Sequence, residues 1–387
     1  MNDRAKQALL PAGLGDLLPP EAEHEEAVAR LLMDRFTSYG YDRVKPPLVE
    51  FEDGLLDGIG ASVAGETFRL MDPVSQRMMG VRADITPQVA RLAATRLTGA
   101  PRPLRISYSG EVLRLKGSQL RPARQFRATG VELIGAAKAA MGDAEVILLA
   151  AEAVGVAGIS GLTVDITAPA LARAVCAGLA VPAAVQSPLL AALDRKDAAA
   201  IDEIGGDAAA ILGRLLAAAG PAEIGVPALA ELDLAEPAGA LAQRLVEVVE
   251  LVGQAAPTLS LTIDPVERRG FEYHTGVSFT LFALGVRAEL GSGGRYLTAN
   301  GEPATGFTLF MDTLMQSVPG PSGRRRVFVP FATPAGPGQA LRADGWVTIN
   351  GLIPDDDPRF EAARLGCSHV WLEGAVQALD EDEVHDG

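Results

Sequence analysis

The sequence predicts an α+β fold, in which helices flank an antiparallel sheet that carries an α-helical insert and is followed by a small α/β C-terminal domain. Three observations lead there. Two apolar strand patterns, one holding Ile106 and Tyr108 and the other Val131 to Ile134, bracket a loop with Arg114, Lys116, Arg121, Arg124 and Arg127. A block at about 168–255 is so rich in alanine that it reads as short, closely packed helices, and it shows no repeat of fixed period. A Pro/Gly/Ser linker from Pro319 to Gly323 then precedes a tail of short strands. The expected division is 1–319, containing the insert, and 324–387.

Taken in order, Leu9 to Pro20 is turn-rich through Gly13, Gly15, Pro19 and Pro20. Glu21 to Tyr39 has helical spacing, with Val28, Leu31, Leu32 and Phe36 on one face, acids in the first turns and Gly40 as the stop. Tyr41 to Val49 is extended, and Pro46 and Pro47 confine it to an edge or a subunit boundary. Met78 to Val81 is a short strand running into a helix opened by Pro87. Strand character at Ile106 and Tyr108 ends at Gly110. Gly142 to Val154 is a helix, and Leu162 to Ile166 a strand. After the insert, Leu259 to Ile263 resumes the main sheet, and a strand spans Tyr273 and His274. The tail holds strands at Arg326–Pro330, Val347–Asn350 and His369–Leu372, with a helix at Phe360–Leu365. It ends acidic.

The chain has 387 residues, 48% of them hydrophobic, enough for a full core. A net charge of -15 argues against a nucleic-acid partner, because affinity for a phosphate backbone comes largely from Lys and Arg. Two cysteines, Cys176 and Cys367, provide neither a disulfide framework nor metal spacing. No apolar run is long enough to span a bilayer and no signal-peptide pattern opens the chain, so the expectation is a cytoplasmic protein with no membrane contact, no metal and no cofactor.

An arginine loop between two apolar strands can hold guanidinium groups over a carboxylate or phosphate. Glu132, a lone acid on the far strand, could meet an ammonium group. Together they imply a pocket for an anion beside a cation, as in an amino acid or its activated form. Arg114 and Glu132 could instead form a buried ion pair with each other. Asp84, Ile85 and Thr86 sit at a strand-to-helix junction, where Asp and Thr also suit a helix cap.

The stretch RISYSGEVLRLKGSQLRPARQFRATGVELIG (Arg105 to Gly135) resembles motif 2 of the class II aminoacyl-tRNA synthetases, in the histidyl version. Leu9 to Ala22 resembles that family's N-terminal segment, and Tyr41 to Phe51 its dimer-forming motif 1. RADITPQVAR (Arg82 to Arg91) and RRGFEYHTG (Arg268 to Gly276) resemble its two histidine-recognition segments. GSGGRY (Gly291 to Tyr296) and ATGFTLFMDTL (Ala304 to Leu314) resemble the motif 3 region. The resemblance covers roughly the first 315 residues. It implies a histidine-binding set of Asp84, Ile85, Thr86, Arg114, Glu132, Arg269, Tyr273 and His274. The region from Asp84 to Thr86 and Glu132 would take the ammonium group, Arg114 the carboxylate or an α-phosphate, and Arg269 the reacting carboxylate. Strand alternation would let only one of Tyr273 and His274 face the pocket, Tyr273 being the first choice and His274 a core residue.

The family pattern is also broken. Motif 2 of an active synthetase reads Arg-x-Glu, where this chain has Arg114-Leu115-Lys116. A histidine-contacting glutamine is replaced by Ala128. The terminal Glu-Arg of motif 3, whose arginine stacks on adenine, is Asp312-Thr313. Thr cannot supply the fork, the charge or the stacking surface of Arg. The tail is shorter than an anticodon-binding domain. This combination resembles the family of synthetase-like regulatory subunits of ATP phosphoribosyltransferase. It implies a non-catalytic homodimer within a hetero-oligomer, partnered by the short-form catalytic subunit and by L-histidine, at the first step of histidine biosynthesis and its feedback control. An active histidyl-synthetase-like adenylating enzyme and a scaffolding homodimer with a vestigial pocket stay open as alternatives.

Overall fold

A computed structural model describes residues 9–268, 273–321, 323–354 and 356–379. The chain divides into two compact units, Met1–Pro319 and Gly320–Gly387. Arg269 lies outside the described residues.

The first unit opens with helix α1 (Glu21–Ser38), which ends where Gly40 takes φ +79°. It buries Val28, Ala29, Leu32, Met33 and Phe36, while Leu31, expected on that face, is exposed. A small antiparallel sheet follows, formed by β2 (Val49–Phe51), β3 (Phe68–Met71) and β4 (Met78–Val81), with the short helix α2 (Glu52–Leu55) between its first two strands. Helix α3 (Thr86–Thr95) then leads to the central sheet.

That sheet has nine strands in the order β1-β5-β6-β12-β11-β10-β7-β9-β8. The strands are β1 (Asp42–Arg43), β5 (Leu104–Leu113), β6 (Gln125–Ile134), β7 (Leu162–Thr167), β8 (Gly220–Pro221), β9 (Ser260–Asp264), β10 (Ser278–Ala283), β11 (Gly291–Leu297) and β12 (Pro303–Phe310). It is antiparallel except for two parallel pairs, β1 with β5 and β7 with β9. Parallel neighbours need a long crossover. Between β7 and β9 that crossover is the alanine-rich block, helices α5 (Leu171–Gly178), α6 (Ala183–Asp194), α7 (Ala198–Ile204), α8 (Gly206–Ala217), α9 (Ala222–Ala230) and α10 (Ala238–Ala255). Helix α4 (Ala139–Val156), between β6 and β7, packs on α1 and α10.

Three expectations need correction. Gly110 does not end the first strand, because β5 runs on to Leu113. The glycine is there because the Arg82 guanidinium crosses the strand, and a Cβ would stand 2.3 Å from Arg82 Nη2. The second strand starts six residues earlier than expected, so Arg127 is a strand residue across from Glu111. It ion-pairs with Glu25, Glu26 and Glu111 instead of arching over a pocket. Tyr273 and His274 lie in a turn before β10 and not on a strand.

The largest core cluster joins α1 and α4 to one face of the central sheet, and Phe36 meets Phe307 edge to face at 5.5 Å. Phe36→Ala should cost about 3–5 kcal/mol, read from the denaturant midpoint, since Phe36 is fully buried and rigid neighbours cannot fill the void.

The second unit is a four-stranded sheet, order β14-β13-β15-β16, from β13 (Arg326–Val329), β14 (Val347–Asn350), β15 (His369–Leu372) and β16 (Ala375–Ala378). Its helix after Asp357 matches the expected one. A helix at Ala335–Ala343 and the strand β16 were not expected. Among the described residues of the chain, no helix is long and apolar enough to cross a membrane.

Candidate functional site

A narrow cavity opens at the middle of the central sheet. It is lined by Thr86, Glu132, Tyr273, His274, Tyr296 and Thr308, with a glycine floor from Gly293, Gly294 and Gly306. Register explains why these residues meet. Glu132 on β6 is directly across from Gly306 on β12, which is directly across from Gly294 on β11. With no side chain at either glycine, the Glu132 carboxylate lies over its neighbours' backbone.

Glu132 is 1% exposed. Tyr296 donates its hydroxyl to Oε2 at 2.8 Å and Tyr108 its hydroxyl to Oε1 at 3.3 Å. Among the described residues no cation is within ion-pair distance of it. Burial away from water disfavours the charged form and pushes the Glu132 pKa up to about 8, against the hydroxyl hydrogen bonds that lower it. A neighbouring cation would reverse that balance. Tyr108 extends the hydroxyl network to Thr308 Oγ1 at 2.8 Å and Thr86 Oγ1 at 3.1 Å. Thr86 therefore faces the pocket, and its hydroxyl does not cap α3.

Asp84 does the local work at that helix start. Its Oδ1 accepts from the Ile85 amide at 2.6 Å and the Thr86 amide at 3.4 Å. Burial raises its pKa, and the nearby Arg114 charge opposes the rise. Ile85 is buried beneath, in the cluster with Val89, Tyr108 and Phe126.

Arg114, at the end of β5, is not paired with Glu132. It lies 3.4 Å from Glu66 and donates from Nε to the Ala83 carbonyl at 3.5 Å, with its guanidinium 5.1 Å from the Phe126 ring centre. Tyr273 and His274 both line the cavity, stacked with ring centres 4.0 Å apart. The one-in, one-out expectation assumed a strand, and a turn imposes no such alternation. Tyr108, Tyr296 and Thr308 escaped the sequence reading because they sit in strands as ordinary half-apolar residues. The signal available was a hydroxyl or acid on the same face of neighbouring strands.

Of the positions where the synthetase pattern is broken, Asp312 and Thr313 lie in a separate cluster. Thr313 is buried, donating its hydroxyl to the Glu289 carbonyl at 2.7 Å and the Phe310 carbonyl at 3.1 Å. Asp312 ion-pairs with Arg121 at 3.1 Å, and Glu289 lies 3.4 Å from the same guanidinium. Arg121 in turn covers the Phe310 ring at 3.7 Å and the Phe126 ring at 4.6 Å. Lys116 is exposed, and Ala128 is packed in the core. The chain's own arginine thus takes up two aromatic faces and the acid of this cluster. Among the described residues, no group of three or more His, Cys, Asp or Glu could hold a metal ion.

The histidyl-tRNA synthetase family profile matches residues 13–314. The chain is 55% identical to an ATP phosphoribosyltransferase regulatory subunit of Rhodospirillum centenum, over 97% of both chains. It is 55% identical to one of Paramagnetospirillum magneticum, over 95% of this chain and 97% of that one. Among solved structures, an ATP phosphoribosyltransferase regulatory subunit/histidyl-tRNA synthetase from Bacillus halodurans superposes with a TM-score of 0.78 at 22% identity, covering 92% of this chain and 96% of that one. A histidyl-tRNA synthetase from Nostoc gives 0.78 at 18%, covering 95% and 92%. The fold is that of the class II histidyl synthetases, and the chain belongs to the family of ATP phosphoribosyltransferase regulatory subunits within it.

Proposed function

We propose that this chain is a non-catalytic subunit that a short-form ATP phosphoribosyltransferase requires for activity at the first step of histidine biosynthesis. Through it, L-histidine would feed back on that step in the cytoplasm. The observation that carries the reading is a contrast between two sites of one chain. The cavity around Glu132 keeps a carboxylate ringed by hydroxyls, suited to an ammonium group. The cluster around Thr313 and Arg121 is neutralised and covered by its own side chains. A zwitterion can be gripped where a nucleotide triphosphate finds no free cation presented by Thr313.

Histidine in this cavity biases a partner only if one conformation of the complex binds it better, and the partner must then weaken histidine binding in the other by the same factor. Asp84, Thr86, Glu132, Tyr273 and His274 would contact the amino acid, with Arg114 and Arg269 toward its carboxylate. Homodimer formation within the hetero-oligomer is supported by the small sheet. Val49, Phe51, Phe68, Leu70, Met79 and Val81 share one face of it by register, and none is fully buried. Sedimentation of the isolated chain should give a dimer, and a monomer would overturn that part.

Copurification with the short catalytic subunit tests the whole reading. The complex should show phosphoribosyltransferase activity that the catalytic subunit lacks alone, and histidine should suppress it. ATP–pyrophosphate exchange by the isolated chain should not depend on histidine. Robust dependent exchange would point to an adenylating enzyme, and calorimetry showing no histidine heat in either state would leave a scaffold.

A further inference from the structure

Strand alternation sends Gly294 and Tyr296 to the cavity face of β11 and Arg295 to the opposite face, toward α4. There Arg295 is 8% exposed. Its Nε donates to Asp143 Oδ2 of α4 at 3.1 Å, Nη2 lies 2.8 Å from Oδ1 as an ion pair without a hydrogen bond, and Nη2 donates to the Ala139 carbonyl at 2.8 Å. Neither residue lines the cavity.

Arg295 nevertheless holds the segment that follows Tyr273 and His274. The Thr275 amide donates to the Arg295 carbonyl at 2.8 Å, and the Arg295 amide to the Val277 carbonyl at 2.8 Å. Between them Gly276 rests on the arginine stem, so closely that a Cβ there would come within 3.0–3.2 Å of Arg295 Cβ, Cγ and Cδ. The residue before Arg295 on β11, Gly294, is the one against which the His274 ring packs, with a hypothetical Cβ only 2.7 Å from His274 Cδ2. A buried ion pair is weak as a source of stability, because apolar residues of similar volume often serve as well. What it adds is direction, since the planar guanidinium is held at two points, by Asp143 through Nε and by the Ala139 carbonyl through Nη2, which fixes the stem in one rotamer.

We infer that the Arg295–Asp143 pair is a positioning device, setting where the Tyr273–His274 wall stands and thereby the affinity of the cavity for its amino acid. This deepens, and rests on, the reading of that cavity as a histidine site. Arg295 and Asp143 act through the turn and not on the ligand.

The test replaces both charges together, as Arg295→Met with Asp143→Leu, so that no buried charge is stranded. This double variant should unfold close to the wild-type midpoint. Amide exchange at Thr275 and Arg295 should speed up at least about tenfold while α4 stays protected, and the histidine Kd should rise at least about tenfold, as for other supports placed behind a ligand-contacting group. Arg295→Lys, which keeps the charge but loses the planar guanidinium, should fall between, and it carries the same test if the double variant does not fold. Unchanged exchange at these two amides would overturn the proposal. So would unchanged histidine affinity in a chain whose wild type binds histidine. If the wild type gives no histidine binding, the histidine reading fails, while local loss of protection still supports the pair as the holder of the turn.

Discussion

Glu132→Gln is expected to produce a protein that is more stable above neutral pH and binds histidine about a hundredfold more weakly. The two effects have one cause. Burial holds the Glu132 pKa up at about 8, while an unfolded chain has it near 4.5. A carboxyl with a raised folded-state pKa favours the folded state fully below about pH 4.5, and that contribution is lost progressively as pH rises to about 8. A shift of this size corresponds to roughly 4–5 kcal/mol withheld from the folded state above pH 8. Gln keeps an acceptor oxygen for one of the two tyrosine hydroxyls, offers an amide N–H to the oxygen of the other, and does not ionise. Its stability should therefore lack this component of the pH dependence, and the variant's advantage over wild type should widen from pH 5 to pH 8. Denaturant titrations at several pH values read this directly, and parallel curves for the two proteins would refute it.

Ligand binding runs the other way. An ammonium group beside Glu132 favours the carboxylate, so at pH 7 binding should expel most of a proton from the group. Histidine affinity should climb between about pH 6 and 8 by up to tenfold per unit, and calorimetric heats should vary with the ionisation enthalpy of the buffer. Loss of a buried charge-assisted contact in Glu132→Gln should weaken binding about a hundredfold, on the scale of 2–3 kcal/mol for such a contact. A stable fold with an ordinary histidine affinity in Glu132→Gln would remove this acid from the recognition of the ligand.

How much of this was legible before the structure differs from element to element for physical reasons. The first helix shows its start, its apolar stripe and its glycine stop within twenty residues, so local sequence sufficed, and β4 was placed for the same reason. Gly110 misled because its meaning depends on Arg82, which reaches it from another element. Arg127 reads as loop cation until its three acids, two of them on α1, are seen beside it. In the site, Glu132 was found as an isolated acid on an apolar strand. Its partners were not, because a tyrosine whose hydroxyl is buried looks the same in sequence as one whose hydroxyl meets solvent. The resemblance to a synthetase put both Tyr273 and His274 in the binding set, and only the assumed strand alternation turned His274 away. The segment is a turn, on which no such alternation applies.

Gly306→Ala is expected to do the most damage for the fewest atoms. The added Cβ would stand 2.1 Å from Glu132 Oε2 and 2.4 Å from the Val131 carbonyl oxygen. The carboxylate could turn away only by breaking its hydrogen bonds with Tyr296 and Tyr108. The carbonyl has no such freedom, because Val131 belongs to β6 at the middle of the sheet, between β5 and β12. Relief requires β12 to move off β6, where Gly306 and Glu132 are direct partners. Overpacking of this kind costs about 3 kcal/mol, or more where backbone must shift, and the displaced acid should take histidine binding with it. A second glycine makes the control. Gly213 sits inside α8 with nothing within 4 Å of a would-be Cβ. Gly213→Ala should gain about 1 kcal/mol from helix propensity alone. The two substitutions add the same methyl group, so opposite shifts in the denaturant midpoint would trace the difference to the crossing of Glu132 over a bare backbone. A Gly306→Ala protein as stable as wild type, with histidine still bound, would mean that the carboxylate does not occupy that position.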